Sequence, residues 1–226
     1  MRLSTIIACA LLVSACTIER ESYEPLPSPQ LIDVYITMTA LDFNFFAQSR
    51  LLQLFDTKHK IVLGAEKDAL IAKYDDTHFN EPLSHGKYSS FANEFTGITV
   101  TSDAEFNGVK PGDNLGGQIR IISVSPYKWL MSKGALTYDW TFVPSDDYNI
   151  VFAEYAKGAF TSHYYPQNHP VNKVLTSLTP DDLLLLSTRC LYLVFSKAPE
   201  VKAHNLTVSF HDGANVFSAT KAVVFE

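Results

Sequence analysis

The closing stretch, Asn205 to Phe225, leaves this chain little choice of local structure. Leu206, Val208 and Phe210 alternate with Thr207, Ser209 and His211, and Asp212-Gly213 then interrupts before a second run from Asn215 to Phe225. A period of two places alternate side chains on opposite faces of a strand. Asp-Gly is the strongest short hairpin signal, because glycine takes positive φ without a steric penalty. The stretch therefore predicts a hairpin with Leu206, Val208 and Phe210 on one buried side.

The same pattern recurs upstream. From Ile32 the alternation sets Ile32, Val34, Ile36, Met38 and Ala40 against Asp33, Tyr35, Thr37 and Thr39, a half-buried strand. Phe43 to Phe55 continues in the sheet, although Gln48 to Phe55 also suits a helix. Lys60 to Leu63, Gly97 to Ser102, Gln118 to Val124, Leu136 to Val143, Asn149 to Tyr155 and Cys190 to Phe195 read as further strands. Turns are expected at Asn107-Gly108, at Lys110-Pro111-Gly112-Asp113-Asn114 and across Pro144 to Tyr148. Ala65 to Lys73 is rich in helix formers, and residues 75–95 read as a long polar surface loop. Val171, Val174, Leu175 and Leu178 fall at helical spacing, and Thr179-Pro180-Asp181-Asp182 reads as an N-cap with proline in the first turn. About nine strands at this spacing predict a mainly β fold, an antiparallel β-sandwich, Ig-like or related, with one to three short helical inserts.

The N-terminus carries an address. Arg2 precedes an apolar run, Leu3 to Val13, that is about the length of a signal-peptide core. A transmembrane helix needs about 20 apolar residues, and Glu19, Arg20, Glu21 and Glu24 end the run well before that, so this is an export signal. Residues 17–30 combine those four charges with Pro25, Pro27 and Pro29 and bury nothing. Extended at about 3.1 Å per residue, they form a tether of roughly 40 Å. The expected organisation is a signal peptide over 1–15, Cys16 with an extended tether over 16–30, and one β-sandwich domain over 31–226.

Loss of residues 1–15 takes Arg2 with it and moves the formal charge from −6 to −7. No basic patch of the density that nucleic acid requires remains. Cys9 leaves with the signal, so Cys190, in an apolar strand, is read as a small core residue. No disulfide framework is available, and the core must stabilise the fold unaided.

Val13-Ser14-Ala15-Cys16 resembles the lipobox of bacterial lipoproteins. The resemblance implies a diacylglycerol thioether on Cys16, cleavage before it and acylation of the new amino group. Two or more chains hold a protein stably where one binds marginally. The other reading of the same residues is an ordinary secretory signal cut after Ala15. Thr17, where an aspartate would retain the protein at the inner membrane, implies an outer-membrane location by similarity to other Gram-negative lipoproteins. Glu19 and Glu21 resemble the acidic export signals of lipoproteins displayed on Bacteroidetes cells, although a merely solvated linker has the same composition. Ile98 to Asn107 with Gly112, and Val208 to Gly213 with Phe217 to Thr220, are similar to an uncharacterised lipoprotein family of Bacteroidales. That similarity implies the source and the fold, and no function.

No constellation names a reaction. His163 and His169 flank Tyr164-Tyr165-Pro166-Gln167-Asn168, but no carboxylate stands at a telling spacing for a metal site. His204, His211 and Asp212 are pieces of a triad without a serine or cysteine in a nucleophile elbow. Asp75-Asp76, Asp146-Asp147 and Asp181-Asp182 suit turns or helix caps as well as calcium. Trp129 and Trp140, with Tyr127, Tyr138, Tyr164 and Tyr165, form either a sugar-stacking platform or ordinary core. Asn205-Leu206-Thr207 matches a glycosylation sequon, which a buried Leu206 argues against. The expectation is a non-enzymatic, cofactor-free and metal-free envelope lipoprotein held to the membrane through Cys16, with a binding or scaffold domain. The alternatives are a structural subunit of a surface assembly and a glycan-binding module, so the partner is a protein or a glycan.

Overall fold

A computed structural model of the chain describes residues 27–82, 88–139 and 166–226. The expected signal peptide, Cys16, Trp140, the strand Asn149 to Tyr155 and the loop residues His163 to Tyr165 lie outside them.

The fold is mainly β. One antiparallel sheet has five strands: β3 (Leu41–Phe46), β4 (Leu51–Asp56), β9 (Ile119–Ser125), β10 (His169–Val174) and β11 (Leu191–Phe195), in the order β10-β9-β11-β4-β3. A second antiparallel sheet, β13-β12-β8, combines β8 (Gly97–Ser102), β12 (Ala203–Asp212) and β13 (Asn215–Val224). Alternate side chains of both sheets meet in one core. Phe43, Leu52, Leu54, Ile119, Ile121, Leu191, Leu193 and Phe195 come from the first, and Ile98, Val100, Leu206, Val208 and Phe210 from the second. Such facing layers make a sandwich-like architecture. Phe106 stacks on Phe195 at 5.3 Å between ring centroids, and Phe225 meets Phe195 edge-on at 5.2 Å. All five residues of β11 are buried, Tyr192 and Val194 on the face opposite the core. Cys190 is enclosed beside this strand, and burial pushes its thiol pKa up to about 12.

A smaller lobe is attached to this sandwich. It contains β2 (Ile32–Met38) between β5 (His59–Ile61) and β7 (Tyr88–Phe91), with the helices α1 (Gly64–Tyr74) and α2 (Tyr127–Met131). A two-residue bridge joins β1 (Pro27–Ser28) to β6 (Glu81–Pro82). Leu31, Ile32, Tyr35, Val62, Tyr74, Trp129, Leu130 and Leu185 fill a second, separate core. Helix α1 has Glu66 in its first turn and Lys73 in its last, both favourable to the helix dipole, and it ends on Asp75 in the left-handed region.

The closing hairpin folds as its pattern predicts, with Leu206, Val208 and Phe210 fully buried, and Gly213 at φ +56° in the turn. Thr179-Pro180-Asp181-Asp182 opens α3 (Pro180–Leu183) with a capping box between Thr179 and Asp182.

Three expectations need correction. Strand β2 does not keep period two: Ile32, Tyr35 and Met38 are buried, and its pairing with β7 shifts register between Ile32 and Val34. The strand hands over from one core to the other, Ile32 and Tyr35 lying in the small core and Met38 in the large one. Its pairing with β7 is parallel, in a fold whose other described strand pairings are antiparallel. Residues 75–95 are not merely a surface loop, since Asp76, Phe91, Asn93 and Phe95 are buried. Val171 and Val174 belong to β10, whose six residues all pair with β9; the helical spacing arose because the strand runs straight into a 3-10 turn, Leu175–Ser177. Short apolar runs are ambiguous in this way.

Candidate functional site

An open cleft of about 400 Å³ lies where three segments converge at one end of the sandwich. Thr37 on β2, the β7–β8 connection with Ala92, Asn93, Glu94 and Thr96, and the hairpin turn Asp212-Gly213 line it. Asn93 is only 5% exposed and ties the walls together. Its Oδ1 accepts from Met38 N–H at 2.6 Å, and its Nδ2 donates to Asp212 Oδ2 at 2.8 Å. Thr96 N–H donates to His211 C=O at 2.7 Å, fixing the remaining wall. Glu94 is paired with Lys73 of α1. The rim thus offers two carboxylates, each already engaged by one donor, together with two threonine hydroxyls. Such groups keep lone pairs for a polar ligand.

A second hollow, about 20 Å³, lies among Ser125, Tyr127, Lys128, His169, Pro170, Val171, Asp181 and Asp182. It has room for about one water. His169 reaches Leu136 C=O at 3.1 Å and lies edge-on to Tyr138, and burial holds its imidazole pKa below the ordinary value.

The triad pieces His204 and His211 lie on opposite faces of β12. His204 is buried between the rings of Phe106 and Phe225, at 5.2 and 5.6 Å. Its Nδ1 meets Ser102 Oγ at 2.7 Å and its Nε2 meets Val201 C=O at 2.7 Å. Ser102 and His204 are each 3% exposed, so this serine–histidine pair, which the sequence does not announce across about a hundred residues, is a core contact closed to substrate. His211 points to the opposite face of β12, where Nε2 meets Thr99 Oγ1 at 3.1 Å.

The paired acids are structural. Asp75 caps α1 and contacts His78 and Lys133, which hold its carboxyl below the usual range. Asp76 is fully buried and accepts from Leu31 N–H at 2.6 Å, Ile32 N–H at 3.1 Å and Tyr35 O–H at 3.0 Å. Burial raises its pKa against those three bonds and the more distant Lys67. Asp182 completes the capping box and holds Lys173 at 2.7 Å; burial opposes its ionisation, but Lys173 and Thr179 outweigh it and keep the pKa low. Asp146-Asp147 falls outside the described residues. Among those described, no group of three or more His, Cys, Asp or Glu side chains is placed to hold a metal ion.

Trp129 is 5% exposed and packs edge-on against Phe79 at 6.2 Å, which removes it from any sugar-stacking platform. Asn205 is held by Asp103, through N–H at 2.7 Å and Nδ2 at 2.6 Å, and Leu206 is buried. Sequence reasoning missed the cleft because its walls come from segments more than a hundred residues apart. The only local signal was the polar run after Phe91.

No family model, curated protein or solved structure matches this chain.

Proposed function

We propose that the chain is a cell-envelope lipoprotein, anchored through lipid on Cys16, whose β-sandwich is a non-catalytic binding or scaffold domain. The observation that carries the reading is Val13-Ser14-Ala15-Cys16 at the end of a short apolar run. No described helix is long and apolar enough to cross a membrane.

The way the chain joins the domain supports a tethered role. Pro27–Ser28 pair with Glu81–Pro82, Phe79 N–H donates to Pro29 C=O at 2.9 Å, and Asp76 receives the next two peptide N–H groups, of Leu31 and Ile32. A pull transmitted from Cys16 meets this series of bonds before it reaches the sandwich. The location is the outer membrane, because Thr17 gives no inner-membrane retention signal. The cleft at the end of the sandwich is the binding site of this reading.

Replacement of the cysteine tests the anchor. Cys16→Ser abolishes lipid labelling and moves the protein from the membrane to the soluble fraction; a variant that stays membrane-bound overturns the address.

A further inference from the structure

The outward face of β8, β12 and β13 is a regular array. Pairing sets Thr99, Ser209 and Ser218 in one row across the three strands, and Thr101, Thr207 and Thr220 in the next. Six hydroxyls thus occupy two successive rows. Ser209 and Ser218 bond each other at 2.8 Å, as do Thr207 and Thr220. Each such pair consumes one proton and one lone pair and leaves a donor and further acceptors for a ligand. The hydroxyls are short, and cross-strand bonds hold them, so little side-chain entropy remains to be lost on binding.

One row, Gly97, His211 and Val216, separates the array from the cleft. His211 contacts Thr99 with its ring and Thr96 with its carbonyl, and Thr96 and Asp212 both line the cleft. The two rows hold no lysine or arginine to grip a phosphate or carboxylate. Carboxylates stand beyond both ends, Asp212 and Glu94 at the cleft and Asp103 beside Asn205 at the other. Anionic ligands are therefore disfavoured. At strand spacing the rows cover roughly 200 Å², far below the roughly 800 Å² per partner of a standard protein interface. The surface suits a narrow, uncharged ligand with repeated hydroxyls.

We propose that the cleft and the hydroxyl rows form one continuous site for an uncharged polysaccharide, with the chain end in the cleft and the following sugars along the strands. Thr37, Thr96, Glu94 and Asp212 engage the terminal hydroxyls, and the rows engage those that follow. Many weak contacts along a repeating ligand add through effective concentration. This rests on the reading of the sandwich as a binding domain, and is independent of how that domain is anchored.

The test is affinity electrophoresis of the full-length protein in mild detergent, in gels containing dextran, mannan or hydroxyethyl cellulose, with polygalacturonate as the anionic counterpart. Retardation is expected in at least one uncharged gel and not in polygalacturonate. Thr207→Val with Thr220→Val keeps the side-chain shape and removes two hydroxyls, and should weaken retardation about tenfold. Ser209→Ala with Ser218→Ala serves as an independent pair if the first does not fold, as judged by circular dichroism. Migration unchanged in every uncharged gel overturns the proposal, as does equal retardation of folded variants or retardation in polygalacturonate alone. Cys16→Ser protein should be retarded like the acylated form, so failure of the anchor and failure of the site give different results.

Discussion

The two cores of this protein are built on opposite principles. The large one joins two sheets through side chains that are almost wholly apolar, with Phe43, Phe91, Phe95, Phe106, Phe195, Phe210 and Phe225 buried in contact with aliphatic neighbours. The small one is arranged about a buried carboxyl group, Asp76, and three donors converge on it. Its Tyr74 hydroxyl has no hydrogen-bond partner among the described residues, and burial, helped by Glu94, pushes its pKa up to about 12. The difference teaches where specificity resides. Apolar burial is strong and non-directional, whereas a buried carboxylate fixes where two particular peptide groups must sit. In the small lobe those peptides are Leu31 and Ile32, where the chain enters β2.

The comparison breaks most severely at Phe210. It is fully buried and meets Phe95 at 5.0 Å, and Phe210→Ala should remove about 3–5 kcal/mol. Denaturant unfolding of the whole chain would register it; a loss under 1 kcal/mol would mean that the two sheets do not share one core.

Asp76→Ala leaves three donors without their acceptor and should destabilise by about 3 kcal/mol. Here the effect should be local. Hydrogen exchange at Leu31 and Ile32 should speed up while β11 amides stay protected, and uniform acceleration throughout would refute the separation of the two cores. The raised pKa of Asp76 means that the folded state holds this proton more tightly than the unfolded chain. Its contribution is complete below the ordinary carboxylate pKa of about 4 and is lost as pH rises through the folded value.

Asp182→Asn should have the smallest effect, about 1 kcal/mol at pH 7 from the lost cap and the Lys173 pair. Its lowered pKa gives the opposite dependence. The contribution is present above about pH 4 and disappears as pH falls through the depressed folded value. Stability of the wild type and this variant should therefore converge at pH 2. A gap that persists there would assign the effect to packing.

Strands whose two faces meet different solvents were legible in the sequence. Leu206 to His211 alternates because one side meets the core and the other meets water, and Asp212-Gly213 marks the reversal between them. The N-cap at Thr179 was legible for a similar reason, since all its bonds are made within four residues. Strand β2 was misread because it serves two cores in succession and shifts register near its start. The stretch 75–95 was misread because its polar side chains, Asp76 and Asn93, are buried against backbone N–H groups 45 and 55 residues away. Local polarity does not reveal a distant donor.

The sequence by itself determined the mainly β class and the closing hairpin, because each depends on neighbours along the chain. Only the tertiary structure decided that the small lobe closes on Asp76, that Ser102 and His204 meet inside the core, and that the hydroxyls of three strands align into rows. Those arrangements are set by register between distant strands, and register is chosen by the joint burial of two sheets, which no single segment carries.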